Sequence, residues 1–195
     1  MPRPAVFLDR DGTIIREVGY LRSPTQMRLL PRAAEAIKRL SQAGYAVIVV
    51  TNQSAIARGM LREHDLEAIH VALRRRLARR GAHLDATYYC PHHPEAVLPE
   101  YRRSCRCRKP APGMLLRAAR QLGLDLKRSF AVGDGERDLA AGIRAGCGAV
   151  LVRTGYGMRT EVKLGKGLRA DYVADDLWQA ATWIVQHPRR CRARA

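Results

Sequence analysis

The chain predicts an α/β fold: a doubly wound parallel sheet with helices on both faces. Three observations predict it. Short apolar runs alternate with helical stripes along the chain. The runs are near-continuous, as strands buried on both faces require. Glycines such as Gly44 and Gly123 fall where stripes end, the usual place for a left-handed helix cap.

Each element follows in order. Residues 5–8 (AVFL) form a short first strand. Pro31 is suited to open a helix, in which Ala33, Ala36, Ile37 and Leu40 recur at i, i+3, i+4 and i+7 and Gly44 ends the stripe. Residues 45–50 (YAVIVV) read as a buried strand, 63–80 as a helix and 86–89 as a third strand. A helix over 112–122 is stopped by Gly123. A strand over 129–132, a helix over 136–144, a strand over 149–152, a short strand at Tyr172 and Val173, and a helix over 177–185 complete the alternation, which is the pattern of stacked βαβ units. One domain over residues 1–188 is expected, followed by a disordered basic tail, 189–195.

The length suits a single core that buries about 70% of the unfolded surface. The formal charge is +17, with 30 arginines against 5 lysines. One cluster, Arg74, Arg75, Arg76, Arg79 and Arg80, falls opposite Leu66, Ile69, Leu73 and Leu77 and reads as a solvated helix face. Another, Arg189, Arg190, Arg192 and Arg194, lies in the tail. Neither makes nucleic acid the expected partner. No apolar run reaches 18 residues and no signal peptide opens the chain, so a cytoplasmic protein without a membrane segment is expected.

The chemistry is concentrated at the ends of the strands, where open α/β sheets bind ligands. Asp9 and Asp11 follow the first strand, two positions apart, and so project to one side of an extended backbone. Two carboxylates about 4 Å apart repel by about 4 kcal/mol at an effective dielectric of about 20. Such crowding persists where a cation or a reaction uses it. Thr51 and Asn52 follow the second strand. Gly133 and Asp134 follow a later one, with Asp138 a helical turn beyond, and Arg108-Lys109-Pro110 precedes a helix. Together they supply phosphoryl transfer: an attacking carboxylate, a second carboxylate to move protons, a hydroxyl and an ammonium for the phosphoryl oxygens, and acids for magnesium.

A second constellation is C-x-H-x12-C-x-C: Cys90, His92, Cys105 and Cys107. Three thiolates and an imidazole make a closed tetrahedral zinc set, which is structural. The adjacent His93 is a competing ligand. Because Arg108 and Lys109 directly follow Cys107, zinc is expected to hold them in place and take no part in the chemistry. Cys147 and Cys191 invite no disulfide, and His64, His70, His83 and His187 read as surface or packing residues.

These residues resemble the four motifs of the haloacid dehalogenase superfamily phosphatases: DRDGT, Thr51 in VVVTNQ, Lys109 in RKP, and GDGERD. The resemblance implies that Asp9 is the nucleophile, Asp11 the general acid/base, and Thr51 and Lys109 the groups that hold the phosphoryl. Magnesium would be held by Asp9, Asp134 and the Asp11 carbonyl, with Asp138 in support. Cap domains in that superfamily are inserted after the first or second motif. Only 37 residues lie between Thr13 and Thr51, and the second interval holds a helix, a strand and the zinc loop, so no large cap is expected. The site should be open, bordered by the zinc loop and residues 14–20.

FLDRDGTI, Gly19-Tyr20, TNQSAIARG, YYCPHHP, CRCRKPAPGM and LVRTGYG are similar to the D-glycero-D-manno-heptose-1,7-bisphosphate 7-phosphatases. That resemblance implies removal of the 7-phosphate from a sugar bisphosphate during ADP- or GDP-heptose biosynthesis for lipopolysaccharide or surface glycan. It favours His92 as the zinc ligand. It also implies substrate contacts at Glu17, Gly19, Tyr20, Asn52, Gln53, Ser54, Arg108 and Gly135, with Arg108 suited to the sugar or its second phosphate. Two positions depart from the family pattern: Ile15 where Asn is common, and Gly135 where Lys or another polar residue is common. The competing readings are a histidinol-phosphate phosphatase, whose zinc loop is usually shorter, a polynucleotide 3′-phosphatase, and a non-catalytic zinc-containing nucleic-acid-binding protein. A monomer is expected.

Overall fold

The computed structural model describes residues 2–164 and 168–189. Six strands pair in parallel in the order β3-β2-β1-β4-β5-β6. They are β1 (Ala5–Leu8), β2 (Ala46–Asn52), β3 (Ala86–Cys90), β4 (Phe130–Gly133), β5 (Gly148–Val152) and β6 (Tyr172–Ala174). The chain turns outward in opposite directions from β1, so the boundary between β1 and β4 is the topological switch point, where the strand ends leave a crevice.

Helices cover both faces: α1 (Ala33–Gln42), α2 (Ser54–Ala57), α3 (Glu63–Ala78), α4 (Gly113–Leu122), α5 (Glu136–Ala145), α6 (Gly157–Lys163) and α7 (Leu177–Gln186). Alternation along β1 divides the core. Val6 and Leu8 pack with Ile37 and Leu40 of α1, Leu66 and Leu73 of α3, and Leu177 and Ile184 of α7. Ala5 and Phe7 face the other way, onto Met114, Leu115 and Ala118 of α4 and Ala141 of α5. Every residue of β1 is fully buried, which explains why its sequence shows no polar alternation.

The expected α/β elements are present, with three local differences. Pro31 does not open α1, because Arg32 adopts left-handed backbone (φ 56°) and the helix starts at Ala33. β2 runs on through Thr51 and Asn52. The short helices α2 and α6, of four and seven residues, carry too little apolar pattern to be read from sequence. Of the expected tail, Arg189 donates to the Gly146 carbonyl at 3.2 Å. Residues 190–195, with Arg190, Cys191, Arg192 and Arg194, lie outside the described residues.

Register brings the site together. Leu8 pairs with Val49 on one side and Val132 on the other, so β1 and β4 end within one residue of each other while β2 runs three residues further, to Asn52. The Asp9 amide extends the ladder, donating to the Val132 carbonyl at 2.9 Å.

Candidate active site

Asp9 leaves β1 buried, and the chain then turns at Gly12 (φ 75°). Only glycine fits there. A Cβ on Gly12 would lie 2.1 Å from Asp134 Oδ2, and one on Gly155 (φ 58°) would meet the same oxygen at 2.1 Å. The two glycines thus let the β1 turn and the segment after β5 close on the Asp134 carboxylate. The Tyr156 N–H donates to that oxygen at 2.8 Å, and the Thr154 hydroxyl donates to the Gly12 carbonyl at 2.6 Å.

Lys109 enters from the segment before α4, just ahead of a cis Lys109–Pro110 bond. Its ammonium lies 2.8 Å from Asp9 Oδ1, 2.6 Å from Asp138 Oδ1 and 2.7 Å from the Val50 carbonyl. Burial alone would drive this ammonium toward neutrality; Asp138 and Asp9 reverse that and hold its pKa above the ordinary value. Asn52 fixes the lysine's main chain. Its Oδ1 accepts the Lys109 N–H at 3.0 Å and its Nδ2 donates to the Lys109 carbonyl at 3.0 Å. Asp138 keeps its other oxygen on the Gly135 N–H at 2.9 Å, at the start of α5.

Asp11 points elsewhere. Its carboxylate is gripped by Arg10, with the shortest contact, from Nη2, at 2.9 Å, and by Gln53 Nε2 at 3.1 Å. Gln53 also donates to Thr51 Oγ1 at 2.8 Å. Thr51, Gln53 and Arg10 are all buried.

These groups floor or line a cavity of about 350 Å³. Asp9, Asp11, Thr51 and Lys109 line it, as do Glu17, Gly19, Tyr20, Asn52, Gln53, Ser54 and Arg108. Burial, together with the nearby Asp11 and Asp9 charges, raises the carboxyl pKa of Glu17. Gly135 does not line the cavity, and its N–H is occupied by Asp138. In its place stands Arg137, which was not singled out although it belongs to the GDGERD string. A Cβ at Gly135 would press on Asp138 Oδ2 at 3.0 Å and only touch Arg137, at 3.6 Å, so the glycine makes room for the Asp138 carboxylate. Arg10, Arg58 and Tyr156 also line the cavity and escaped sequence reading, and so does His93, which the sequence offered only as a competing zinc ligand. Arg58 and Arg10 sit inside quoted motifs, but nothing in those strings says which way a guanidinium points.

Beside the cavity, Cys90, His92, Cys105 and Cys107 converge. The three sulfurs lie 3.2–3.5 Å apart, and His92 Nδ1 is 3.7 Å from Cys90 Sγ and 3.5 Å from Cys107 Sγ. These are edges close to the roughly 3.7 Å of a tetrahedron with zinc–sulfur arms of about 2.3 Å. The set can hold zinc. His93 does not join it; it lines the substrate cavity instead. Arg108 links the two sites, donating from Nη1 to the His92 carbonyl at 3.0 Å and to Ser54 Oγ at 3.1 Å. Glu63 of α3 accepts the hydroxyls of Tyr89 and Tyr101, the latter at 2.9 Å, and so ties both ends of the loop to the helix layer.

The HAD-hydrolase-like family model matches residues 106–180. The D-glycero-beta-D-manno-heptose-1,7-bisphosphate 7-phosphatase of Photorhabdus laumondii is 45% identical over 88% of this chain and 92% of its own length. The chain belongs to the heptose-1,7-bisphosphate 7-phosphatase family, of haloacid dehalogenase type. Another member, the D-glycero-D-manno-heptose-1,7-bisphosphate 7-phosphatase of Thermosynechococcus vestitus, is 43% identical over 96% of this chain and 98% of its own. A crystal structure of D,D-heptose 1,7-bisphosphate phosphatase from B. bronchiseptica, complexed with magnesium and phosphate, superposes with a TM-score of 0.84 at 39% identity, covering 94% of this chain and 98% of that one.

The donors of this family member fit magnesium. Oxygens of Asp9, Asp134 and Asp138 gather within 4.8 Å of one another, all buried. Such a set of carboxylates suits a hard divalent cation. Burial, with the Asp9 charge beside it, pushes the Asp134 pKa up to about 7, so its carboxylate is short of positive charge. The carboxylate of Asp11 is not in the set, which agrees with a contribution from its main-chain carbonyl alone. That of Asp138 is already engaged by Lys109 and Gly135, which suits support rather than direct ligation.

Proposed function

We propose that this enzyme removes the 7-phosphate of D-glycero-D-manno-heptose 1,7-bisphosphate through an aspartyl-phosphate on Asp9. One observation carries the choice of a bisphosphate. Arg58, Arg108 and Arg137 line the cavity, and none of them has a carboxylate within ion-pair reach among the described residues. Burial first, then the charges of Arg137 and Arg58, depress the Arg108 pKa. Lys109 and Thr51 already serve one phosphoryl group. Arg58 and Arg108 match a second, which a bidentate fork binds well, while Arg137 is partly desolvated but feels the carboxylates of Asp138, Asp9, Asp134 and Glu17, which hold its pKa above the ordinary value.

The chemistry follows from the positions. An Asp9 carboxylate oxygen attacks phosphorus, forming an O–P bond as the bond from phosphorus to sugar O7 breaks. Asp11 gives its proton to that leaving oxygen. Lys109 and the Thr51 hydroxyl hold the equatorial oxygens while charge spreads over them. Asp11 then takes a proton from the water that attacks phosphorus, and Asp9 leaves as carboxylate with inorganic phosphate as product. Asp9, Asp134 and the Asp11 carbonyl would hold magnesium, which when bound offsets the repulsion between a phosphate dianion and the Asp9 carboxylate. Glu17, Gly19, Tyr20 and Ser54 border the sugar. Cys90, His92, Cys105 and Cys107 would hold zinc, which when bound would keep Arg108 and Lys109 in register.

All these groups come from one chain, which supports action as a monomer built on residues 1–188. Cys90, Cys105 and Cys107, placed to ligate zinc as thiolates, support a reducing cytoplasmic setting. No helix among the described residues is long and apolar enough to cross a membrane.

The test is phosphate release, with magnesium, from both anomers of the heptose bisphosphate, heptose 7-phosphate, histidinol phosphate and a 3′-phosphorylated oligonucleotide. The highest kcat/KM is expected on a bisphosphate anomer. Arg58→Ala should raise KM for the bisphosphate by about tenfold, in line with about 1.4 kcal/mol for one charged contact, and leave the 7-monophosphate little changed. Better turnover of histidinol phosphate or of the oligonucleotide overturns the assignment.

A further inference from the structure

Arg10, the residue between the two site aspartates, is 1% exposed. Burying a guanidinium is costly unless its donors are paired, and here they are spent on three neighbours. Nε and Nη2 fork onto the Asp11 carboxylate, at 3.2 and 2.9 Å to Oδ2 and 3.3 and 3.1 Å to Oδ1. Nη2 also donates to Gln53 Oε1 at 3.0 Å, and Nη1 faces His70 Nε2 at 3.4 Å.

The far end of the fork is anchored in the core. His70, on the inner face of α3, is 2% exposed and its ring lies 5.9 Å from that of Tyr89. An imidazole buried against a guanidinium can only accept, so Nε2 offers its lone pair to Arg10. Gln53 closes the network by donating to both Asp11 and Thr51. Asp11 is thus held at two points, while 19% of its side chain still faces the cavity.

We infer that Arg10, anchored by His70 and Gln53, is a positioning residue that fixes the Asp11 carboxylate in line with the departing oxygen. The inference rests on the reading of Asp11 as general acid. A carboxylate on a freely turning side chain spends part of its time off line, and orientation is a large part of what a positioned acid contributes. Lysine cannot replace the fork, because its single ammonium lacks the planar pair of donors.

An acid matters most when the leaving group is poor. The test is therefore kcat/KM across aryl phosphates whose phenols range from weakly to strongly acidic, for wild type, Asp11→Asn, Arg10→Met, Arg10→Lys and His70→Leu, with thermal melts as a check on folding. Arg10→Met should lose on the order of 10²-fold on the poorest leaving group, the lower end of what acid catalysis contributes, and almost nothing on the best. Arg10→Lys should recover part of that loss. His70→Leu keeps the guanidinium and should show the same selective loss at about tenfold; it carries the test if Arg10→Met does not fold. A selective loss in Asp11→Asn with a uniform loss in Arg10→Met and His70→Leu overturns the positioning role alone. A uniform loss in Asp11→Asn overturns the acid role on which it rests.

Discussion

The Lys109 ammonium lies 2.8 Å from Asp9 Oδ1, although the two residues are 100 positions apart in the chain. The contact spans the switch point of the sheet. It exists because Asn52, at the end of β2, clamps the main chain of Lys109 from both sides. Asp138 on α5 supplies the second counter-charge.

Removing that ammonium should cost both chemistry and stability. Lys109→Met leaves Asp9 and Asp138 buried without a counter-ion, a loss of about 3–5 kcal/mol. It also removes a donor to the phosphoryl oxygens, worth on the order of 10²–10³ in kcat. The pH dependence is specific. The lysine pKa is raised above its ordinary 10.5, so its contribution is complete below that value and is lost only as pH climbs through the higher folded-state value. The stability gap between wild type and Lys109→Met, followed by urea unfolding, should narrow as pH falls from 9 to 6, because Asp138, whose pKa burial raises and the lysine holds down, takes up a proton more readily once the lysine is gone.

Asp9 and Asp11 have identical side chains in different surroundings. Asp9 faces a buried cation and the acidic set; Asp11 is turned onto Arg10 and Gln53. Asp9→Asn should abolish phosphoenzyme, detected as an added phosphoryl mass after rapid acid quench. Asp11→Asn should slow turnover by about 10²-fold or more while titrating with magnesium almost as wild type does. Comparable magnesium affinity losses in both variants would show that the Asp11 carboxylate itself is a ligand.

The zinc loop should act through Arg108 and Lys109. Cys107 adjoins Arg108, and the Arg108 guanidinium donates to the carbonyl of His92 inside the loop. Stripping zinc with a chelator and restoring magnesium should lower kcat at least tenfold and lower the melting temperature. Activity should return on adding zinc, because loosening a cation by about 1 Å can cost about 10²-fold. Full activity in the zinc-free enzyme would rule this out.

How much was legible in the sequence depended on what kind of fact was sought. The strands and the residues at their tips were legible because a buried parallel strand has a continuous apolar signature and Asp9, Thr51 and Asp134 directly follow or end one. The Cys/His set was legible because its spacing is local. Arg137 was not, because nothing in the GDGERD string says that its side chain turns into the cavity. Arg10 and His70 were not, because 60 positions separate them and each alone looks like an ordinary polar residue on its element. Arg32 misled the start of α1 because a left-handed arginine carries no sequence signal.

His70 also gives the fold an acid weakness. Burial, followed by the charges of Arg10 and Arg74, pushes its pKa down to about 3, with Tyr89 the ring packed beside it. The unfolded chain takes up a proton near the ordinary 6.5, whereas the folded chain resists until about 3. Stability from this group is therefore complete above 6.5 and falls as pH drops from there toward 3, at up to about 1.4 kcal/mol per pH unit. His70→Leu removes the titrating ring but leaves one Arg10 donor unpaired, so it should be the less stable protein at pH 7.5. Lowering the pH to 5 should narrow the gap by about 2 kcal/mol, because only wild type carries the penalty, while the shared carboxylates cancel in the difference. Urea midpoints of both proteins at the two pH values measure it, and a gap that does not change with pH would mean that His70 is protonated in the folded state and cannot accept from Arg10.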